Sequence, residues 1–547
     1  VPEVRRLLAV LSTTVLLAGC TASPEPPRTP PTGPAPVVSG PATTLRVLAG
    51  SELADMQPIL DEAAKATGVT VQLDLIGSLE GAERVATGGA DGKYDALWFS
   101  SNRYLETLPE AKQRLGNATR IMGSPVVLGV RPATAQRLGW TAGTATWKDI
   151  AAAAGRGELT FAMTDPATSN TGFSALVAVA SALDGSGRAL DAAAIDRVAA
   201  PLTGFFSGQR ITAGSSGWLT DAFLGRMAGT DPGPAVDGLI TYEASLLELN
   251  SSGKLSEQLT VIRPGDGVVS ADYPLTLLTS APTGARDAHE RLTAYLRGRV
   301  AQEQIVARTW RRPGTTGVAL PSDLPAAPVE LSFPDTRAAI EALLTAYQDR
   351  LRRPSRTVYV LDVSGSMAKD GRLKQLKAAL EGLTGVNTSL TGEHCRFRSR
   401  EEVILLPFSS RPAAPQRYTV DAAAPQPSRD LLRAAAGRLR AGGDTAVYDS
   451  LLAAYREIDG AADRNRFASI VLMTDGESNR GRVLADFEKQ VRQRPATAEP
   501  VPVFPVLFGE AAEGQMRRVA TVSGGELWDA RRGGDLTKTF CQIRGYQ

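Results

Sequence analysis

Three stretches of the 547-residue chain place carboxylates and hydroxyls at the ends of short structured runs. The apolar run Val358-Tyr359-Val360-Leu361 leads into Asp362-Val363-Ser364-Gly365-Ser366-Met367, and Ser469-Ile470-Val471-Leu472-Met473 leads into Thr474-Asp475-Gly476-Glu477. Between them, the loop Gly442-Gly443-Asp444-Thr445-Ala446 follows a helical pattern over 428–440. Two carboxylates with serine and threonine hydroxyls make an all-oxygen donor set, which suits a hard cation such as Mg²⁺, Ca²⁺ or Mn²⁺. The plainer alternative has Asp362 and Asp475 capping the helices beyond their strands. Capping accounts for neither the Ser-x-Ser spacing nor Thr445.

Other chemistries find little support. With two histidines and three cysteines, the neighbours His394 and Cys395 lack two further ligands at zinc spacing. His289 and His394 are the only bases for a Ser-His-Asp triad, and no Gly-x-Ser-x-Gly elbow occurs. The stretch Gly88 to Lys93 fails as a phosphate loop, since Thr87 stands where its first glycine must be and Tyr94 replaces the following Ser or Thr. A non-catalytic protein is therefore expected. Sixty basic against 58 acidic residues, a net charge of +2, argue against a nucleic-acid partner. Most of the basic residues are scattered arginines, which reads as a high-GC bacterial genome rather than phosphate recognition.

An α/β framework must position these groups. Apolar runs at Leu45–Ala49, Val69–Leu75, Tyr94–Phe99, Val126–Val130, Leu159–Met163 and Gly238–Tyr242 read as strands, and 55–66 as a helix. Such alternation predicts α/β layering. Ile340, Leu343, Leu344, Tyr347 and Leu351 keep helical spacing until Pro354 stops them, which puts a boundary between domains 44–353 and 354–547. Ahead of both, Arg5 and Arg6 precede an apolar run from Leu7 to Gly19, too short to span a bilayer and fit for the core of a signal peptide over 1–19. Eight prolines among residues 21–43 then make an extended spacer.

Three resemblances sharpen this reading. Leu17-Ala18-Gly19-Cys20 resembles a bacterial lipobox. It implies cleavage before Cys20, a diacylglyceryl group on its sulfur, and a place on the extracytoplasmic face of the cell membrane. Residues 44–350 resemble the two-lobed, type II periplasmic solute-binding proteins. The carriers are Tyr94–Ser100, Ser124–Val130, Thr164–Gly172 and Asp237–Glu243, similar to the segments that line and cross between the lobes. This implies a cleft where Ser51, Ser100, Ser169, Asn170, Thr171 and Tyr242, with helix N-termini, meet a small polar or anionic solute. Taken singly, these residues also read as ordinary helix caps and turn formers.

From residue 356 the chain resembles a von Willebrand factor type A domain. Asp362, Ser364 and Ser366 fit that family's Asp-x-Ser-x-Ser motif, Thr445 its threonine and Asp475 its late aspartate. The resemblance implies a doubly wound sheet of order 3-2-1-4-5-6 and a metal-ion-dependent adhesion site. There the hydroxyls hold Mg²⁺ (or Ca²⁺ or Mn²⁺) directly, the aspartates act through water, and a partner carboxylate completes the ion.

The expectation is a membrane-anchored extracytoplasmic lipoprotein that recognises an envelope or extracellular protein or glycan through this cation. The competing readings are a solute receptor of an ABC-type transporter and an envelope assembly scaffold. With Cys20 given to lipid, Cys395 and Cys541 form an even pair in an oxidising compartment, hence a disulfide; two free buried thiols are the alternative. The cleft within 44–350 is expected to supply its own polar groups, independently of the metal domain.

Overall fold

The computed structural model describes residues 40–546 apart from 142, 327–328, 496–497, 510–511 and 532–535. Cys20 and the segments around it lie outside the described residues.

In the first domain the strands are β1 (Thr43–Gly50), β2 (Val69–Ile76), β3 (Ala96–Trp98), β4 (Leu115–Arg120), β5 (Met122–Val130) and β6 (Phe161–Thr164). They are followed by β7 (Gln209–Ala213), β8 (Gly238–Tyr242), β9 (Thr260–Ile262), β10 (Ser270–Ala271), β11 (Pro274–Leu278) and β12 (Arg312–Pro313). Two sheets result, one per lobe: β2-β1-β3-β11-β4, and β10-β5-β8-β6-β7 with β9 and β12 also paired to β5. β5 is buried at every position, as a strand must be when it is paired on both sides and covered on both faces. The helix Asn170–Asp184 is apolar almost all round and buried along most of its length, because sheet and helices surround it.

The chain crosses between lobes at Ile121 and returns at 272–273. The Ser100 carbonyl accepts the N–H groups of Asp272 (2.9 Å) and Tyr273 (3.0 Å), pinning that return. Tyr273 there takes a φ of 41°, in the left-handed region that side chains avoid, at a position wedged between the lobes.

The second domain contains β13 (Ser355–Asp362), β14 (Glu402–Phe408), β15 (Gln416–Thr419), β16 (Phe467–Thr474), β17 (Val503–Leu507) and β18 (Trp528–Asp529). Their order is β15-β14-β13-β16-β17-β18, parallel except for the antiparallel edge strand β15. This is the 3-2-1-4-5-6 sheet the resemblance implied. Successive side chains of β13 enter two different cores: Tyr359 and Leu361 pack on one face, Val358 and Val360 on the other. The period of two thus explains why the run is apolar throughout.

Two boundaries differ from the sequence pattern. The helix expected over 428–440 runs from Pro425 to Gly437, because proline is suited to the first turn, where its missing N–H costs nothing. The strand expected over Tyr94–Phe99 pairs only at Ala96–Trp98. A disulfide joins Cys395, at the end of the helix Leu390–Cys395 that leads into β14, to Cys541 in the last helix, Leu536–Arg544, with Cα atoms 4.9 Å apart. It lies at the sheet edge where β14 begins, opposite the edge where Asp362 ends β13.

Candidate functional site

β13 and β16 lie side by side in parallel, with Leu361 opposite Met473, so Asp362 and Thr474 emerge at one level of the sheet. Asp362 is fully buried and both its oxygens are engaged. Oδ1 accepts the Ser364 N–H at 2.8 Å and Oδ2 accepts the Thr474 hydroxyl at 2.7 Å. The Ser364 and Ser366 hydroxyls lie 3.0 Å apart, and Ser366 donates to Asp475 Oδ1 at 2.7 Å. The third loop is laid over the first by two backbone bonds, Gly442 N–H to the Val363 carbonyl (2.8 Å) and Gly365 N–H to that of Gly443 (2.9 Å). Gly443 has a φ of 89°, a conformation open to glycine, and this lets the loop turn back and present Thr445. Thr445 is buried, and its N–H is held by the Asn479 side chain at 2.9 Å.

All five candidate residues, Asp362, Ser364, Ser366, Thr445 and Asp475, therefore stand on adjacent loops at one end of the sheet, next to its switch point. Burial pushes the Asp362 carboxyl up, partly offset by its bonds to Ser364 and Thr474, and Asp475 pushes it up further. A divalent cation would relieve both effects. Among the described residues no group of three or more His, Cys, Asp or Glu is placed to hold a metal. Two carboxylates and three hydroxyls on these loops make an all-oxygen donor set, which fits a hard ion. The sequence pattern missed Arg372, whose guanidinium donates to Asp475 Oδ2 at 2.7 Å. It missed Thr474 and Asn479 as well, which orient the carboxylate and the third loop.

In the first domain, Ser51, Ser169, Asn170 and Thr171 line one chamber of about 550 Å³ between the lobes. Asn170 donates to the Ser100 hydroxyl at 2.9 Å, bridging lobe to lobe, and Thr171 lies 3.4 Å from the Ser216 hydroxyl. Tyr242 ends β8 with its ring buried among Ser100, Thr171 and Ser174 and 6.3 Å from the ring of Tyr273; it is not one of the chamber-lining residues. Glu52, next to Ser51, was not singled out. It lines the chamber, and burial pushes its carboxyl up against the pull of Arg311 and Ser100. Gly172 allows the helix Asn170–Asp184 to start tight against β6, since a Cβ there would sit 2.3 Å from the Thr164 carbonyl oxygen.

One expectation is corrected. The cleft is not walled by 44–350 alone, because His394, Lys538, Arg544 and Tyr546 of the second domain also line it. The chain folds its last helix back across the lobes, a contact that no local pattern announces.

Residues 45–311 match the family model of the bacterial extracellular solute-binding proteins, and residues 357–477 that of the von Willebrand factor type A domain. No curated protein matches the chain. Among solved structures, a periplasmic thiamin binding protein is 14% identical, with a TM-score of 0.43 over 56% of this chain and 95% of its own. The ferric binding protein from Campylobacter jejuni is 12% identical, with a TM-score of 0.40 over 55% of this chain and 95% of its own. A von Willebrand factor type A protein from Catenulispora acidiphila is 19% identical, with a TM-score of 0.29 over 36% of this chain; the match spans 42% of that protein. The chain thus joins a solute-binding-type domain to a C-terminal A-type domain.

Proposed function

We propose that the A-type domain holds one divalent cation through Ser364, Ser366 and Thr445, with Asp362 and Asp475 behind them, and uses it to capture a carboxylate on an envelope or extracellular protein or glycan. The observation that carries this is the hydroxyl chain Ser364–Ser366–Asp475, which links two loops within 3.0 Å while both oxygens of Asp362 are already occupied. Asp362 is thereby left to act through water or through Ser364, and direct ligands are mostly neutral hydroxyls. An ion so held keeps much of its charge for an outside carboxylate. Mg²⁺ is the first choice, with Ca²⁺ and Mn²⁺ as alternatives of the same hardness. The chain performs no chemistry of its own in this reading.

Substituting Asp362→Ala is expected to lower Mg²⁺ affinity by about 10–100-fold, the usual range for an outer-shell carboxylate. Partner capture from an envelope extract should fall with it and should vanish in EDTA. Titration calorimetry and a pulldown read the two effects. Parent-like Mg²⁺ binding and capture by Asp362→Ala would overturn the reading.

A second reading, a receptor for a small polar or anionic solute that serves an ABC-type transporter, is favoured by the convergence of polar residues from both lobes on one chamber. In either case the chain is held at the extracytoplasmic face by lipid on Cys20. No helix among the described residues is long and apolar enough to cross a membrane. Cys20→Ala is expected to move the protein from the membrane fraction to the soluble one. A variant that stays membrane-bound through a carbonate wash would exclude the lipid as anchor.

A further inference from the structure

The A-type domain touches both lobes across the cleft. On lobe one, Lys538 pairs with Glu80 at 2.6 Å, and the Thr391 N–H donates to Glu83 at 3.1 Å. On lobe two, the Tyr546 ring packs edge-on against Trp218 at 4.8 Å, and its hydroxyl lies 3.5 Å from that of Ser215. Gly545 presses so close that a Cβ on it would come 2.9 Å from Gly214 Cα. The lobes also meet directly through Asn170 and Ser100. A chamber of about 550 Å³ lies between these contacts, large enough for a small organic molecule.

We propose that this chamber is a solute site shared by the two domains, that it takes a small carboxylate bearing a hydroxyl or ammonium group, and that the A-type domain is its lid. The proposal rests on the second reading above, that the cleft takes a solute.

The carboxylate end follows from three helices that begin at the chamber, Ser78–Ala86, Asn170–Asp184 and Ser216–Ala228. The first two have no side-chain cap, so their first N–H groups are left for an anion. Of the acids that line the chamber, Glu80 is committed to Lys538, Glu83 to Thr391 and Asp165 to the Ala167 N–H at 2.6 Å, while burial pushes the Glu52 carboxyl up, towards its neutral form. The donor-bearing end follows from the opposite wall. Gln348 and His394 line the chamber and are more than nine-tenths buried. Gln348 Oε1 and His394 Nδ1 have no hydrogen-bond partner among the described residues. An unmet buried acceptor such as Gln348 Oε1 calls for a hydroxyl or ammonium proton. These two groups sit on the junction helix and the A-type domain, so a solute that satisfies them bridges both domains.

The test is hydrogen–deuterium exchange on the full chain, with malate and glutamate as probes. Either probe is expected to slow exchange at 165–172 in lobe two and also at 541–546 in the A-type domain. Without a probe, Tyr546→Ala/Lys538→Ala should exchange several-fold faster than the parent at 165–172, while the buried strand β5 stays unchanged. Lys538→Ala alone, which removes only a half-exposed ion pair, asks the same question if the double variant loses its fold. Protection confined to the lobes would leave the cleft a solute site and overturn the shared one. Equal exchange of variant and parent at 165–172 would overturn the lid. Protection by neither probe would overturn the carboxylate class, and the proposal with it.

Discussion

Glu401→Gln is expected to cost the A-type domain about 3–5 kcal/mol, the range found when one partner of a buried ion pair is removed. Glu401 is fully buried just before β14. One oxygen accepts Arg352 at 2.6 Å and Arg544 at 2.7 Å; the other accepts Arg544 at 2.7 Å and the Arg398 N–H at 2.9 Å. Glutamine keeps the volume and one acceptor oxygen but removes the charge. Two arginines, each about 5% exposed, would then lose the carboxylate they share, with Asp165 3.7 Å from Arg352 as a neighbouring acid. Chemical denaturation of the A-type transition checks this, and a loss under about 1 kcal/mol would mean that water or a neighbouring acid relieves the arginines.

The pH dependence follows with a definite sign. Burial pushes the Glu401 carboxyl up, but Arg544 and Arg352 outweigh it and bring the group below its ordinary value. A carboxyl depressed in the folded state contributes stability that is complete above its unfolded pKa and disappears as pH falls through the folded one. The contribution is therefore flat near neutrality and lost only in acid, below about pH 4. Glu401→Gln should remove that acid limb and leave the neutral region parallel to the parent.

The second large effect is expected from Cys395→Ala/Cys541→Ala. The bridge closes a loop of 146 residues. On the chain-entropy account, opening so long a loop costs about 5 kcal/mol at most, through the greater freedom of the unfolded chain. Labelling of free thiols in the unfolded, unreduced protein should find none from these two positions; two reactive thiols would remove the premise. The two predictions are coupled, because Arg544 also donates to the Cys395 carbonyl at 3.0 Å. The combined variant should lose less than the sum of the parts, as neighbours sharing partners do. Both changes loosen the last helix, which is also the wall of the chamber.

Much of the framework was legible in the sequence, for reasons tied to particular residues. Gly238–Tyr242 is an apolar run bounded by turn residues, and it is a strand as read. Asp362, Ser364 and Ser366 are closely spaced, Asp475 directly follows a strand, and Thr445 lies in the loop just ahead of the helix Val447–Asp459. Local spacing and burial pattern are properties of a few consecutive residues, so the pattern alone carries them. A glutamate that is 49 residues from one partner and 143 from the other leaves no such trace. Before folding, Glu401, Arg352 and Arg544 look like any solvated charges.

The sequence by itself determined the two α/β domains and the loops that carry the metal-type residues, and left the two remaining cysteines as either a bridge or two free thiols, which the structure decides for the bridge. Only the tertiary structure decided that Arg372 reaches Asp475, that Glu52 joins the cleft, and that the last helix closes over both lobes. The physical reason is the range of the forces concerned. Strand and helix follow from hydrophobic period and backbone preference along the chain. The docking of one domain on another instead depends on long-range pairs such as Lys538 with Glu80, 458 residues apart, which exist only once both surfaces are formed.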